Sequence, residues 1–369
     1  MAFAERLRRA RGLMADQGVD VVVLSVGADL PYFCGYEATP LERLTMLVVP
    51  RDGDAHLIVP RLEAPRVVER PDVFSMTVWD DTENPIGLAR SLIGPADVVG
   101  VGDHMWAGFL VDLLRVMPGA EFRRASEVTG PIRQRKDPAE VESLRLAAAA
   151  ADRVAAEFQR GDIPLVGRTE AQVSAEIGRR LLAEGHQRVN FAIVAAGPNA
   201  ASPHHEPGER VIRPGEVVLT DFGGTMMDAD GVGYCSDITR CVHLGEPPAE
   251  LTDAYDVLFE AQAAQVDAAV VGRPCQEVDR LGRAMIAEAG FGDNFIHRTG
   301  HGIGTEAHED PYIVEGNHQL LEPGHAFSIE PGIYLAGRWG LRLEDIVVAA
   351  TDGPDNLTTA DHHLAVIDA

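Results

Sequence analysis

With 369 residues the chain is too long for one ordinary domain, and two are expected. Its 46% hydrophobic and 24% charged residues describe a globular protein with a full core, which excludes a disordered chain. A net charge of −25 argues against nucleic acid and anionic membranes as partners, since both select basic patches.

The N-terminus, MAFAERLRRARGLMADQG, is charged and amphipathic instead of an apolar signal core. No apolar run approaches the ~20 residues of a membrane span. Cys34, Cys235, Cys241 and Cys275 show neither a CxxC pair nor a framework, and they read as free thiols of a reducing compartment. The cytoplasm is the expected location. Lys136 is the only lysine among 32 basic residues, a bias with no evident mechanism.

Residues 4–17 have helical periodicity. Strands are expected over 20–26, 44–50 and 55–60, the last two paired through the turn at 51–54. A further strand follows at 98–103 and a helix at 108–116. Together these make residues 1–128 an α/β domain. His104, Asp80 and Asp81 fall in loops and read as surface residues. The aromatic, turn-rich stretch 29–43 is either a binding edge or a packed loop. A boundary falls at TGPIRQRK (129–136), read as turn followed by basic residues. Asp137 then caps a helix with Pro138 at its first position, running to about Gln159. The second domain spans 129–369.

That domain repeats itself. GRTEAQVSAEIGRRLLAEG (167–185) matches GRPCQEVDRLGRAMIAEAG (272–290), and in the first copy Thr169 and Gln172 form a capping box. Each copy continues to an Asn-Phe pair, then a His-x-x-Pro (His204 and His308), a Pro-Gly turn and a strand. Those strands are expected to end in an acid, Asp221 and Glu330, and the next strand of each copy carries Asp237 and Glu344. Acids inside apolar runs such as FSIEPGIY and LRLED are costly to bury bare. Four such carboxylates converging on a pseudo-twofold axis would repel by several kcal/mol and need more than one positive charge. Two divalent cations fit. The alternative is that acids at strand ends repeat merely because the chain duplicated. Beside them, the stretch 297–311 (HRTGHGIGTEAHEDP) sets His301 among glycines, on a backbone open to close approach.

At these residues the chain resembles the pita-bread peptidases, the family of methionine aminopeptidase, aminopeptidase P and prolidase. Asp221 in LTDFGG, Asp237 in CSDITR, His301 in TGHGIG, Glu330 in SIEPG and Glu344 in LRLED match its five metal ligands in order. The sixteen positions from Asp221 to Asp237 are more than the family usually has. The extra residues, 226–232, read as a longer hairpin tip that holds Asp228 and Asp230, and strand context favours Asp221 as the ligand.

The resemblance implies an α/β N-terminal domain of the creatinase/prolidase type, followed by an α+β pita-bread domain with an internal pseudo-twofold repeat. It implies two divalent metal ions bridged by Asp237 and Glu344, with Asp221 completing one site and His301 and Glu330 the other. Oxygen-rich ligands with one imidazole suit Mn²⁺ best and allow Co²⁺, Fe²⁺ or Zn²⁺. The metals would activate a water and polarise the scissile carbonyl, and Glu330 would shuttle the proton to the leaving amine. His308 and His204 would flank the cleft, and Arg342 matches an arginine of proline-directed members, the alternative being a surface residue. His205 and His297 stand either as structural residues or as supports for the ligands. His318, His325, His362 and His363 match no motif and read as surface. The expected activity is that of a dinuclear peptidase cleaving Xaa-Pro bonds in dipeptides or short peptides. An Xaa-Pro aminopeptidase acting on longer peptides is the alternative, and a creatinase-like amide or amidine hydrolase the next. A homodimer is implied, with residues 29–43 a candidate to reach the neighbouring active site.

Overall fold

A computed structural model describes residues 2–368. It divides into two compact units, one built from the chain up to Arg133 plus Asp228–Gly233, the other from Gln134–Met227 and Tyr234 onward.

The first unit runs α1 (Ala2–Gln17), β1 (Val21–Leu24), α2 (Asp29–Cys34), β2 (Met46–Pro50), β3 (His56–Pro60), β4 (Ser75–Trp79), α3 (Pro85–Ile93), β5 (Val98–Val101), α4 (Ala107–Val116), β6 (Glu121–Arg124) and α5 (Ser126–Arg133). Its six strands form one sheet in the order β4-β3-β2-β1-β5-β6. Val21 to Leu24 are buried without alternation, as a central strand covered on both faces must be. The β2–β3 hairpin forms as expected, in antiparallel register. Edge strands β4 and β6 are partly exposed and have no continuous apolar run, so their sequences announce them weakly.

Of the two readings of 29–43, packing holds for its first part, which is helical: Tyr32 and Phe33 are buried on α2. One expectation changes. The start of TGPIRQRK is helix, not turn. α5 carries Pro131, and Asp29 accepts from Thr129 Oγ1 at 3.0 Å and Arg133 Nη1 at 2.9 Å.

The second unit begins with α6 (Pro138–Gln159), whose Asp137 and Glu140 form a capping box. α7 (Glu170–Ala183) starts from the Thr169–Gln172 capping box. Then come β7 (Arg188–Ala196), β8 (Val217–Met227), β9 (Gly233–Cys235), β10 (Ile238–Leu244), α8 (Ala249–Ala268) and α9 (Cys275–Glu288). The chain closes with β11 (Gly300–Gly302), β12 (Glu309–Ile313), β13 (Ala326–Ile329), β14 (Gly332–Leu335), β15 (Trp339–Arg342), β16 (Asp345–Ala350), β17 (Gly353–Asn356) and β18 (Ala365–Ile367).

The repeat is visible as two similar halves. α7 precedes a sheet ordered β18-β10-β8-β7, and α9 precedes one ordered β12-β11-β13-β16-β17. Apolar faces of α6 and α7 pack on the first sheet through Val154, Phe158, Val173 and Ile177. Cys275 and Val278 of α9 pack on Phe327 and Val347 of the second. The four cysteines are buried and free, as expected.

Asp221 does not end its strand: β8 continues to Met227. It can do so because Gly223 and Gly224 follow. A Cβ on Gly223 would lie 2.0 Å from the Ser236 carbonyl, and one on Gly224 2.6 Å from that of Arg188.

Candidate active site

Two candidate ligands lie within strands and three at strand ends or gaps. Asp221 lies within β8 opposite Thr239 of β10. Asp237 occupies the gap between β9 and β10, Glu330 follows β13, and Glu344 lies between β15 and β16. His301 is the middle residue of β11. Its flanking glycines serve the sheet: a Cβ on Gly300 would come 1.8 Å from the Ser328 carbonyl, and one on Gly302 2.3 Å from that of Asp310. The close approach expected at this backbone is therefore made by neighbouring backbone.

The structure brings all five together. His301 Nδ1 donates to the Gly302 carbonyl at 3.1 Å, which turns Nε2 toward the acids. Nε2 stands 3.1 Å from Glu330 Oε1 and 3.8 Å from Asp237 Oδ2. Among the described residues, ligand atoms within 4.8 Å of one another form three groups: Asp221 with Asp237 and Glu344, His301 with Glu330 and Glu344, and Asp237 with His301 and His308.

Burial dominates the electrostatics. It raises the carboxyls of Asp237 and Glu344 well above the ordinary range, and neighbouring carboxylates add to the rise. Asp221 is raised for the same first reason, with Arg342 pulling the other way. Burial also works upward on Glu330, but the His301 imidazole overcomes it and holds this carboxyl at about 2. Asp221 Oδ1, Asp237 Oδ1 and Glu344 Oε1 are buried with no hydrogen-bond partner among the described residues. Three orphaned carboxylate oxygens converging in one place are a large desolvation cost. Divalent cations remove it, and the oxygen-rich set with one imidazole fits them.

Arg342 is 1% exposed, so it is not a surface residue of its strand. It donates to Asp221 Oδ2 at 2.6 Å, to Thr239 Oγ1 at 3.1 Å and to the Tyr334 hydroxyl at 2.8 Å. Thr239 in turn donates to Glu344 Oε2 at 2.8 Å. Thr239 and Tyr334 were not singled out from sequence, although Thr239 lies inside CSDITR.

A cavity of about 560 Å³ opens over these groups, within the ~300–1,000 Å³ of small-molecule sites. Phe191, Ile193, Pro203 and Ala307 give it apolar wall, and His204, His297, Arg298 and His308 give it polar wall. The His308 and His301 rings lie 4.0 Å apart. Burial, then His301, drives the His308 imidazole down to about 4.

His297 hydrogen-bonds the Tyr334 hydroxyl at 2.9 Å and lines the cavity. His205 does not line it: the imidazole meets buried Glu170 at 2.8 Å. Asp228 and Asp230 are outside the cluster, and the Asp228 carboxylate caps its own turn by accepting from the Asp230 and Val232 amides. Of the histidines expected at the surface, His318 and His363 are exposed. His325 is buried, its imidazole driven to about 4 by that burial, and His362 is half-buried against Asp345 at 2.6 Å.

Metallopeptidase family M24 matches residues 142–351, and the creatinase/prolidase N-terminal domain matches residues 6–135. A probable dipeptidase PepE of Mycobacterium bovis is 42% identical over 372 residues, spanning 99% of this chain and 96% of that protein. An Xaa-Pro dipeptidase of Lactobacillus helveticus is 37% identical over 369 residues, with 96% of each covered. The crystal structure of a prolidase from Thermococcus sibiricus matches with a TM-score of 0.92 at 33% identity, covering 100% of both chains. With both parts matched and the whole length shared with these proteins, the chain belongs to metallopeptidase family M24 and carries a creatinase/prolidase N-terminal domain.

Proposed function

We propose that this protein is a metal-dependent peptidase that hydrolyses Xaa-Pro dipeptides. The observation that carries the reading is the set of three unpartnered, buried carboxylate oxygens beside His301 and Glu330, on the wall of a cavity of dipeptide scale. Asp221, Asp237, His301, Glu330 and Glu344 would hold two divalent cations, Mn²⁺ foremost. When bound, such cations acidify an attacking water and polarise the scissile carbonyl.

The chain's own groups do the rest. Glu330 takes the proton of the attacking water and delivers it to the departing proline nitrogen. His308 is uncharged at neutral pH, so it donates one N–H to the developing oxyanion without bringing a competing cation beside His301. His204, on the same cavity, meets the substrate carbonyl or its carboxylate. Arg342 holds Asp221 and, through Thr239, Glu344, so its guanidinium stiffens the carboxylate set. Phe191, Ile193 and Pro203 offer apolar surface to the proline ring or the residue before it.

Turnover of Ala-Pro, Ala-Pro-Pro and Met-Ala-Ser, in Mn²⁺ and then in EDTA, tests the reading. Cleavage of Ala-Pro alone, abolished by EDTA, is the expected result. Preference for Ala-Pro-Pro would make the protein an aminopeptidase with an open cleft, and cleavage of Met-Ala-Ser alone would sink the proline reading. Metal-free turnover of a guanidino or amide compound would instead support a creatinase-like hydrolase.

We also propose a homodimer, which light scattering on the purified protein tests, and a cytoplasmic location, which its four free, buried thiols suit. No helix among the described residues is long and apolar enough to cross a membrane.

A further inference from the structure

The two cavity histidines occupy the same place in the repeat, each opening a His-x-x-Pro. In both copies the next residue is tied to a buried charge. After His308, Glu309 Oε1 meets Lys136 Nζ at 2.6 Å, with side chains 7% and 1% exposed. After His204, His205 Nε2 meets Glu170 Oε2 at 2.8 Å, and the Glu170 side chain is fully buried. Glu170 further accepts from the Ala196 amide at 2.9 Å and from Asn199 at 3.1 Å. The residues differ between the copies, yet the device is the same.

The second anchor is closely built. Glu309 pairs with Gly302 across β11 and β12. A Cβ on Gly304 would meet Glu309 Oε1 at 2.5 Å and Lys136 Cε at 3.0 Å, so the bridge lies directly against the His301 segment. The Lys136 backbone is itself fixed, its amide donating to the Gly324 carbonyl at 2.9 Å. A slender ammonium stem fits this space where a planar guanidinium would crowd Gly304. In a chain that otherwise uses arginine for its side-chain cations, the one lysine stands here. A buried ion pair is no strong source of stability compared with an apolar pair of similar volume. What it does supply is a fixed position.

We propose that Glu309–Lys136 and His205–Glu170 are positioning contacts that set the His308 and His204 imidazoles over the cavity. They act on turnover through those histidines and leave metal and substrate affinity largely alone. The inference rests on the reading of His308 and His204 as groups that meet the substrate. Placing such a group wrongly by about 1 Å costs roughly 100-fold in rate.

The test is a cycle on the Mn²⁺-loaded enzyme with Ala-Pro. K136M/E309M removes both charges together and avoids stranding one. It is expected to fold, to bind Mn²⁺ and to keep KM within about twofold, while kcat falls about 10–100-fold. In an H308A background the same pair should cost nothing further, because its effect passes through the missing imidazole. Equal losses in both backgrounds, or an unchanged kcat in folded K136M/E309M, would overturn the proposal. If K136M/E309M does not fold, E309D, which keeps the charge and shortens the anchor, takes its place in the same cycle. If H308A turnover falls below detection, the His308 ring signal in NMR of the metal-free protein, assigned by its loss in H308A, must shift in the anchor variant, and an unmoved signal counts against the proposal. E170Q with H204A repeats the cycle for the first copy. An H308A enzyme as fast as wild type would instead remove the catalytic reading of that histidine, which is a separate result.

Discussion

The Thr239 hydroxyl accepts from Arg342 and donates to Glu344, so one oxygen aligns the Arg342 guanidinium with a carboxylate of the ligand set. T239V keeps the shape and removes both bonds. It should weaken Mn²⁺ binding about 10–100-fold by calorimetric titration without unfolding the protein, the usual cost of losing a support behind a metal ligand. Proton linkage gives a second prediction at this scale. Asp221, Asp237 and Glu344 have raised carboxyls, so the folded chain without metal holds protons that the unfolded chain releases. Their contribution to stability is present below the ordinary carboxylate range and is lost as pH rises through the raised values. Cations displace those protons, so the rise in Tm on adding Mn²⁺ to EDTA-treated protein should grow as pH rises above the ordinary carboxylate range. Glu330 runs the other way, but its window, between its ordinary value of 4.5 and about 2, lies lower. His186 and His325 lie outside the cluster and cancel in the difference between the two melts. A metal-induced shift that shrinks with pH would contradict the carboxylate account.

Among the elements, β11 is the most constrained. Its central residue must present Nε2 to Glu330 while β12 and β13 close on either side, and only glycine leaves room at Gly300 and Gly302. G300A should cost about 3 kcal/mol or more in urea unfolding, since the obstructing atom is a backbone carbonyl that cannot swing aside. The hairpin tip gives the opposite expectation. D228A removes two turn hydrogen bonds outside the ligand cluster, so stability should fall by about 1 kcal/mol with Mn²⁺ content unchanged, whereas D221N should lose metal. Equal metal loss in both variants would reopen the choice between these acids. Helices with local signals could be read directly: the capping boxes at Asp137 and Thr169 mark α6 and α7. α5 escaped notice because Pro131 looks like a breaker, yet it sits in the last turns of a helix held by tertiary contacts to Asp29. α3 had a usable signal, Asn84 capping the Gly87 amide ahead of Pro85. The edge strands had none, because half-exposed residues show no continuous apolar run.

Across the second unit, Asp345 gathers distant parts of the chain. It accepts from Arg240 of β10, Gln262 of α8, Asn356 of β17 and His362 near the C-terminal strand. Burial works to raise this carboxyl, but His362 and Arg240 outweigh it and hold it at about 2. A lowered carboxyl stabilises the fold above its unfolded value and loses that contribution as pH falls through the folded one. D345N should therefore cost about 3–5 kcal/mol at pH 7, since it also strands the buried Arg240, and its deficit should narrow below about pH 4. A deficit independent of pH would mean that charge plays no part.

Composition, spacing and duplication by themselves determined that acids would be buried in pairs, that one glycine-flanked histidine would join them, and that the charge so gathered calls for cations. Those conclusions need only local pattern and the cost of burying charge. Tertiary structure alone decided which groups touch. It turned Arg342 inward onto Asp221, withdrew His205 from the cavity to Glu170, buried His325, and matched the single lysine to Glu309 across 173 positions of sequence. Such pairings depend on strand register and on which faces of two sheets meet, and no local pattern encodes a partner that far away.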